Sequence, residues 1–382
     1  MEIQKYEKES IGAIGQEISK LGFGLMRLPK KGLSIDIRQT EQMVDAFLEA
    51  GFTYFDTAYV YPGSEAAAKK ALVDRHPRES YTLATKLNVM IAPTAKMAKK
   101  QFETSLERTG AGYFDYYLLH ALMENNYARY DKLHLWDFVN EQKEKGLIKH
   151  VGFSFHSGPQ LLEKLLQEHP EVDFVQLQIN YADWENQSVT SRANYEVARK
   201  YGKSIVIMEP VKGGALAEPP AEVQKLFKEY QPDMSYASWA IRFAASLDGI
   251  LTVLSGMSDT QQMADNLSYM KDFKPLNEEE QKIIQEAQRI LGKSATIPCT
   301  ACRYCVEGCP KKIPIPEIFS AMNKRLGSGQ LSEASEDYLK ATEGKGKASE
   351  CIACGQCERA CPQHLEITKH LKECEDALEA AK

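Results

Sequence analysis

From residue 22 to about residue 254, short apolar runs alternate with longer stretches in which apolar positions recur every three to four residues. The runs predict strands at 22–26, 53–55, 81–85, 116–119, 150–154, 174–179, 204–208 and 250–254. Amphipathic stretches at 38–50, 95–109, 133–145, 159–168, 192–201 and 236–245 predict helices. Gly51, Gly110, Gly146 and Gly202 stand where four of these helices should stop. Strand followed by helix, repeated eight times, describes a (β/α)8 barrel or a large doubly wound sheet. Length favours the barrel, which needs roughly 250 residues. Ahead of the first strand, residues 11–18 around Gly15 read as a small hairpin placed to plug the barrel bottom.

A further helix is predicted at 277–291, with Asn277 and Glu280 spaced as a capping box and Gly292 ending it. Residues 293–298 read as a linker, and from Cys299 the pattern changes. This sets the expected boundary near residue 292: an α/β barrel over 1–292 and a smaller α-rich domain over 293–382. The composition is globular, with 43% hydrophobic and 26% charged residues. A net charge of -6 without a basic stripe argues against nucleic acid as a partner. No apolar run is long enough for a bilayer, so no membrane partner is expected. Met1-Glu2-Ile3-Gln4-Lys5 lacks the apolar core of a signal peptide, and the expected compartment is the cytoplasm.

All nine cysteines lie at or after Cys299. A disulfide-stapled secreted chain would not normally leave its first 298 residues without one, so the clustering points to a metal site in a reducing compartment. Two runs share one spacing: Cys299-x2-Cys302-x2-Cys305-x3-Cys309-Pro310 and Cys351-x2-Cys354-x2-Cys357-x3-Cys361-Pro362. Each can wrap three thiolates around one face of an iron–sulfur cube while the fourth points elsewhere. Paired C-x2-C units also bind zinc, but a zinc ribbon needs two cysteines per knuckle rather than four followed by a proline. The domain resembles an eight-iron ferredoxin. That resemblance implies one [4Fe–4S] cluster on Cys299, Cys302, Cys305 and Cys361, and a second on Cys351, Cys354, Cys357 and Cys309. It departs from a compact ferredoxin in the 41 residues between Cys309 and Cys351, which include a predicted helix near 315–326. Cys374, on a charged helix, reads as an ordinary free thiol.

Three successive predicted strands end in polar residues: Asp56, Lys86 and His120. In a barrel the strand C-termini converge on one mouth, where active sites lie, and Tyr61 sits in the loop after Asp56. Singly, Asp56 could cap a helix, Lys86 could be surface charge and His120 a buried ring; together at one mouth they are harder to dismiss. The segment Phe55-Asp56-Thr57-Ala58-Tyr59-Val60-Tyr61-Pro62-Gly63-Ser64-Glu65 is similar to the D-T-A-x-x-Y segment of the aldo/keto reductase family. Ala84-Thr85-Lys86 and Asp115-Tyr116-Tyr117-Leu118-Leu119-His120 match that family's lysine and histidine strands, and the resemblance runs from about residue 11 to residue 270. It implies a TIM barrel and a catalytic tetrad of Asp56, Tyr61, Lys86 and His120. The chemistry is coherent: hydride delivery to a carbonyl leaves an alkoxide needing a proton. A free tyrosine, with a pKa of about 10, is a poor acid at neutral pH. Lys86 would favour the tyrosinate and lower that pKa, Asp56 would hold the lysine charged, and His120 would orient the carbonyl oxygen.

The same resemblance implies nicotinamide contacts from Ser154 and Gln176, with Phe155 where the family usually has Asn. Met208 stands at the place of an aromatic that stacks on the nicotinamide. After the last strand, Ser255-Gly256-Met257-Ser258 and Gln262 offer no Lys or Arg for a 2′-phosphate, while Asn266 matches the adenine-side Asn. The cofactor-binding set is therefore Ser154, Gln176, Met208, Gly256 and Asn266, with NADP(H) or NAD(H) both open and room left for another redox cofactor. Lys212, Gly213, Gly214 and His156 lie on loops at the same mouth and read as structural or solvated.

The leading expectation is an oxidoreductase: a (β/α)8 TIM barrel with a C-terminal α-rich 2[4Fe-4S] ferredoxin-like domain. It would reduce a small-molecule aldehyde or ketone with NAD(P)H, the two clusters serving electron transfer and an external electron carrier being a further partner. Hydride moves two electrons together whereas a cluster moves one, so ordinary carbonyl reduction has no need of clusters. The alternatives are a flavin or radical step in the barrel, an electron-carrier subunit of a larger complex, or clusters with a structural role only.

Overall fold

The structure, a computed structural model, describes residues 18–293, 296–328 and 331–379. The hairpin expected over 11–18 lies outside the described residues but for Ile18. Eight parallel strands close into a barrel: β1 (Leu21–Gly24), β2 (Tyr54–Asp56), β3 (Thr82–Leu87), β4 (Phe114–Leu122), β5 (Ile148–Phe155), β6 (Phe174–Gln178), β7 (Ser204–Met208) and β8 (Ile250–Ser255). They pair in chain order, and β1 closes the ring by pairing with both β2 and β8. Every predicted strand is present. The expected (β/α)8 barrel is the fold, because both faces of each strand are buried and a parallel sheet needs a helical layer outside it.

Aromatic side chains fill the interior. Tyr54, Tyr116 and Phe174 pack ring to ring, with centroids 5.2 and 5.1 Å apart. Phe174 finds room because β5 carries glycine opposite it: a Cβ at Gly152 would stand 2.6 Å from the Phe174 ring. Outside the sheet, α1 (Ile37–Glu49), α2 (Ala95–Thr109), α3 (Pro159–Glu168), α4 (Ser191–Lys200) and α5 (Tyr236–Ala245) cover the strands. On α3, Leu161, Leu162, Leu165 and Leu166 are buried on the stripe that helical periodicity predicts. Gly110 ends α2 at φ 65°, a left-handed cap that suits glycine. The stretch expected as one helix over 133–145 is two, Tyr127–Lys132 and Leu135–Glu144, because His134 between them is left-handed at φ 53°.

By its contacts the chain forms two compact units. Among the described residues, the first takes those up to 211 and 237–281; the second takes those from 282 on together with 212–236, the segment between β7 and α5. A capping box opens the helix Glu278–Leu291 as expected: Asn277 N donates to Glu280 Oε2 and Glu280 N to Asn277 Oδ1, both at 2.9 Å. In the second unit, α6 (Tyr304–Glu307), α7 (Ile315–Ser328), α8 (Leu331–Thr342), α9 (Gln356–Arg359) and α10 (Ile367–Cys374) surround a core of Ile313, Ile315, Ile318, Phe319, Ile367 and Leu371. Among the described residues no helix is long and apolar enough to cross a membrane.

Candidate functional site

Asp56 ends β2, Lys86 lies one residue from the end of β3, and His120 lies near the end of β4. All three are buried. Lys86 Nζ donates to Asp56 Oδ2 at 2.6 Å and to the Thr57 carbonyl at 2.7 Å. The same ammonium stands 5.2 Å from the centre of the Tyr61 ring, and that ring meets His120 edge-on with centroids 5.8 Å apart. The four residues singled out in the sequence therefore lie together at the C-terminal mouth.

Burial pulls the charged partners toward neutrality: it raises the Asp56 pKa and lowers that of Lys86, with their mutual attraction opposing both shifts. His120 is held well below the usual histidine range, first by burial and then by the Lys86 charge, so at neutral pH it is a neutral ring. Its Nδ1 is buried without a hydrogen-bond partner, and so is Asp56 Oδ1. The backbone around His120 is irregular. The register of β4 shifts between Leu119 and Leu122, and Ala121 takes a left-handed φ of 58°. Three contacts hold this bulge: Ser154 Oγ accepts from Ala121 N at 2.7 Å, Asn126 Nδ2 donates to Ala121 O at 2.8 Å, and Tyr130 Oη donates to His120 O at 2.5 Å. Asn126 and Tyr130 carried no sequence signal, because a side chain that fixes a bulge has no characteristic spacing.

The expected nucleotide contacts line up along the later strands. Ser154 and Gln176 are register partners across β5 and β6, Met208 ends β7, Gly256 follows β8, and Asn266 is buried in the helix Thr260–Met270. Phe155 closes β5 as a buried side chain. Two amide oxygens, Gln176 Oε1 and Asn266 Oδ1, are buried with no partner. Such orphans are costly, and a carboxamide and an adenine amine are the donors that would satisfy them. Sequence reasoning found no cation near the end of the last strand, yet Arg27 lies there. Its stem packs 3.6–3.8 Å from where a Gly256 Cβ would be, and its guanidinium faces Glu209 at 3.9 Å. It comes from the loop after β1, far in sequence from the last strand.

In the second unit the two cysteine runs form an internal repeat. Residues 52 apart match in conformation: Ala301 and Ala353 (φ 52° and 51°), Arg303 and Gly355 (68° and 68°), Lys312 and His364 (52° and 53°). The short helices α6 and α9, and the longer α7 and α10, match in the same way. Left-handed residues alternating with ordinary ones turn backbone N–H groups toward one concavity, a geometry suited to an anionic centre. Cys299, Cys302, Cys305 and Cys361 line one cavity; Cys309, Cys351, Cys354 and Cys357 line another. Burial pushes the Cys357 thiol up to about 11 and raises Cys305 and Cys361 as well, so bare thiolates there need cationic compensation. Among the described residues no three His, Cys, Asp or Glu side chains converge as one metal ion requires. Four sulfurs set around a cavity, in the spacing of an iron–sulfur run, suit a polynuclear cluster. Cys374 is buried in its helix, its thiol pushed up to about 12 by burial.

Residues 20–289 match the family model described as the aldo/keto reductase family. The chain belongs to the aldo/keto reductase family. Residues 298–365 match a 4Fe-4S dicluster domain, so this family member carries that domain after its barrel in sequence. An aldo-keto reductase of Strobilurus tenacellus is 30% identical over 217 residues, 53% of this chain and 61% of that protein. The chain spans about half to two thirds of the length of the curated relatives it matches first. Among solved structures, the holo form of an aldo-keto reductase from Bacillus halodurans superposes with TM-score 0.57 at 25% identity, covering 71% of this chain and 92% of that one. An aldo/keto reductase from Klebsiella pneumoniae, solved with NADP and acetate, has TM-score 0.57 at 16% identity, covering 70% and 91%, and shares the fold.

Proposed function

We propose that this protein is an oxidoreductase that reduces a small-molecule aldehyde or ketone at the barrel mouth, with electrons also exchanged through two [4Fe–4S] clusters. The observation that carries this reading is the buried Lys86–Asp56 pair set beside the Tyr61 ring and His120. In this reading Tyr61 supplies the proton that the reduced carbonyl oxygen takes up. Lys86 favours the tyrosinate that results, and Asp56 keeps Lys86 charged against the pull of burial. Neutral His120 offers an N–H to the carbonyl oxygen and so orients it. Gln176 and Asn266 would hold the two ends of a nicotinamide dinucleotide, with Ser154, Met208 and Gly256 along its length. When bound, that cofactor supplies the hydride. The two cysteine quartets would hold the clusters, and in this reading the cluster domain begins near residue 292, which lies between the two family matches, while by contacts residues 282–292 group with the second unit.

Coupling is tested by anaerobic titration of the cluster-loaded protein with NADPH and then NADH, following the broad visible absorbance of the clusters. Bleaching by a nicotinamide is the expected outcome. Clusters that dithionite bleaches but neither nucleotide does would show that barrel and clusters are not linked through nicotinamide.

Arg27 is proposed as the cation that meets a nucleotide phosphate beside Gly256. Arg27→Gln is expected to weaken dinucleotide binding about tenfold, the order for one charge-assisted hydrogen bond. Fluorescence titration with NADP+ and NAD+ separates the sites. A loss for NADP+ alone assigns Arg27 to the 2′-phosphate, and a loss for both assigns it to the pyrophosphate. Unchanged affinity for both removes Arg27 from the site.

A further inference from the structure

The internal repeat of the second unit supplies its own comparison. Thr300 and Ile352 are equivalent positions, each following the first cysteine of its run. Thr300 is 2% exposed, because the backbone at Gly213 lies directly against it: a Cβ there would be 2.3 Å from the Thr300 carbonyl oxygen. Ile352 is 58% exposed, a large apolar side chain in solvent between two cysteines of the other quartet. The cysteines follow suit. Each quartet has two half-buried members, Cys299 and Cys302 in the first and Cys309 and Cys351 in the second; the first has two buried, Cys305 and Cys361, where the second has buried Cys357 and exposed Cys354. The second quartet is thus the more open of the two, at Ile352 and Cys354.

Charge marks the open side. Lys311 lines that cavity, and Lys312 follows it. The turn at 345–347 packs on the same strip of backbone, since a Cβ at Gly346 would stand 2.1 Å from the Lys311 carbonyl oxygen. It brings Lys345 and Lys347 alongside, and Arg359 donates to the Cys354 carbonyl at 3.4 Å. All five side chains are exposed. Fewer acids are exposed there: Glu307, Glu343 and Glu350, the last accepting from Lys347 N, while Glu358 accepts from Thr368 N and Oγ1 and Glu379 accepts from Ser349. A basic rim around an exposed isoleucine, on a chain of net charge -6, is the pattern of a charge-steered contact with an apolar centre.

We propose that the quartet of Cys309, Cys351, Cys354 and Cys357 is the electron port of this protein, and that the surface around Ile352 docks a small acidic one-electron carrier protein. The exchange is one electron at a time. The reduced carrier loses one electron, the centre held by this quartet gains it, and no bond or proton changes place. The contact is expected to be small, salt-sensitive and short-lived, as electron-transfer encounters are. The proposal rests on the reading that both quartets hold clusters. Iron content and bleaching by dithionite test that reading separately, before any carrier is added.

The test uses the full-length, cluster-loaded protein and an acidic flavodoxin, reduced to its hydroquinone, as probe. Stopped-flow bleaching of the clusters gives the transfer rate, and a binding titration with oxidised flavodoxin gives the dissociation constant. Both rate and affinity are expected to fall steeply with added salt. Lys311→Glu with Lys312→Glu should lower both about tenfold or more at low ionic strength and flatten the salt dependence. Lys70→Glu with Lys100→Glu, an equal charge change on exposed barrel lysines, should leave both unchanged. Salt-independent transfer in the unaltered protein would overturn the proposal, as would equal losses in the two double variants. So would full iron and dithionite bleaching in the 311/312 variant with undiminished carrier binding.

Discussion

Alanine at position 361 is expected to empty the cavity of the cysteine run that Cys361 does not belong to in sequence. Cys361 closes the second run, yet its side chain lines the cavity of Cys299, Cys302 and Cys305. Removing one of the four thiolates leaves an iron without its protein ligand, and a [4Fe–4S] centre depends on ligation by four cysteines. About half the iron should therefore be lost. Cys305→Ala should leave the same residual spectrum as Cys361→Ala, because the two residues share a cavity. Cys309→Ala should leave the complementary one, because Cys309 lines the cavity of Cys351, Cys354 and Cys357. Electron paramagnetic resonance of the dithionite-reduced variants reads this directly. If instead Cys361→Ala matches Cys357→Ala and differs from Cys305→Ala, the crossed assignment is wrong. The comparison between variants is what decides, so a general loss of folding, which would remove all iron from every variant, is recognised as such.

The barrel was legible because two signals agree along its length. Apolar runs set the eight strands, and glycines such as Gly110 mark helix ends that the backbone then adopts in the left-handed region. The clustering of Asp56, Lys86 and His120 was legible because they are polar residues at the ends of apolar strands, where a barrel collects them. What stayed hidden arises from contacts with no fixed spacing. The bulge at Ala121, with Asn126 and Ser154 holding it, depends on residues brought together by β4 and β5. Arg27 reaches the end of β8 only because the barrel closes β1 against it. The segment 212–236 packs with the cluster-bearing unit, although it lies in sequence between β7 and α5. In the cysteine runs the matched spacing revealed the repeat. It could not reveal that Thr300 is covered and Ile352 open, since that difference comes from the chain laid over one half and not the other.

Phenylalanine at position 61 is expected to lower kcat for carbonyl reduction by about 10²- to 10⁴-fold, the range for removing a positioned general acid. The other two polar neighbours, Lys86 and His120, are poorly placed to supply the proton. Lys86 is committed to Asp56 and the Thr57 carbonyl, and moving its proton would strand a buried carboxylate without its counter-ion. His120 is kept neutral by burial and by the Lys86 charge, so it can donate a hydrogen bond but does not carry a spare proton. Of these four residues, Tyr61 is the one whose hydroxyl proton stands beside a cation, Lys86. The ring itself should stay, since phenylalanine preserves the edge-on contact with His120 and the packing over Lys86. KM and the dissociation constant for the dinucleotide should therefore change little, and the loss should sit in kcat. Cluster content and dithionite bleaching should be unaltered, because the quartets share no residue with the tetrad. Methionine at position 86 should cost a similar factor. It should also change the pH dependence of what activity remains, because the buried ammonium that biases Tyr61 is gone. Undiminished turnover in the Tyr61→Phe variant would remove the proton-donor role from this residue. If the Lys86→Met variant were then also fully active, the chemistry would have to lie elsewhere in the barrel mouth.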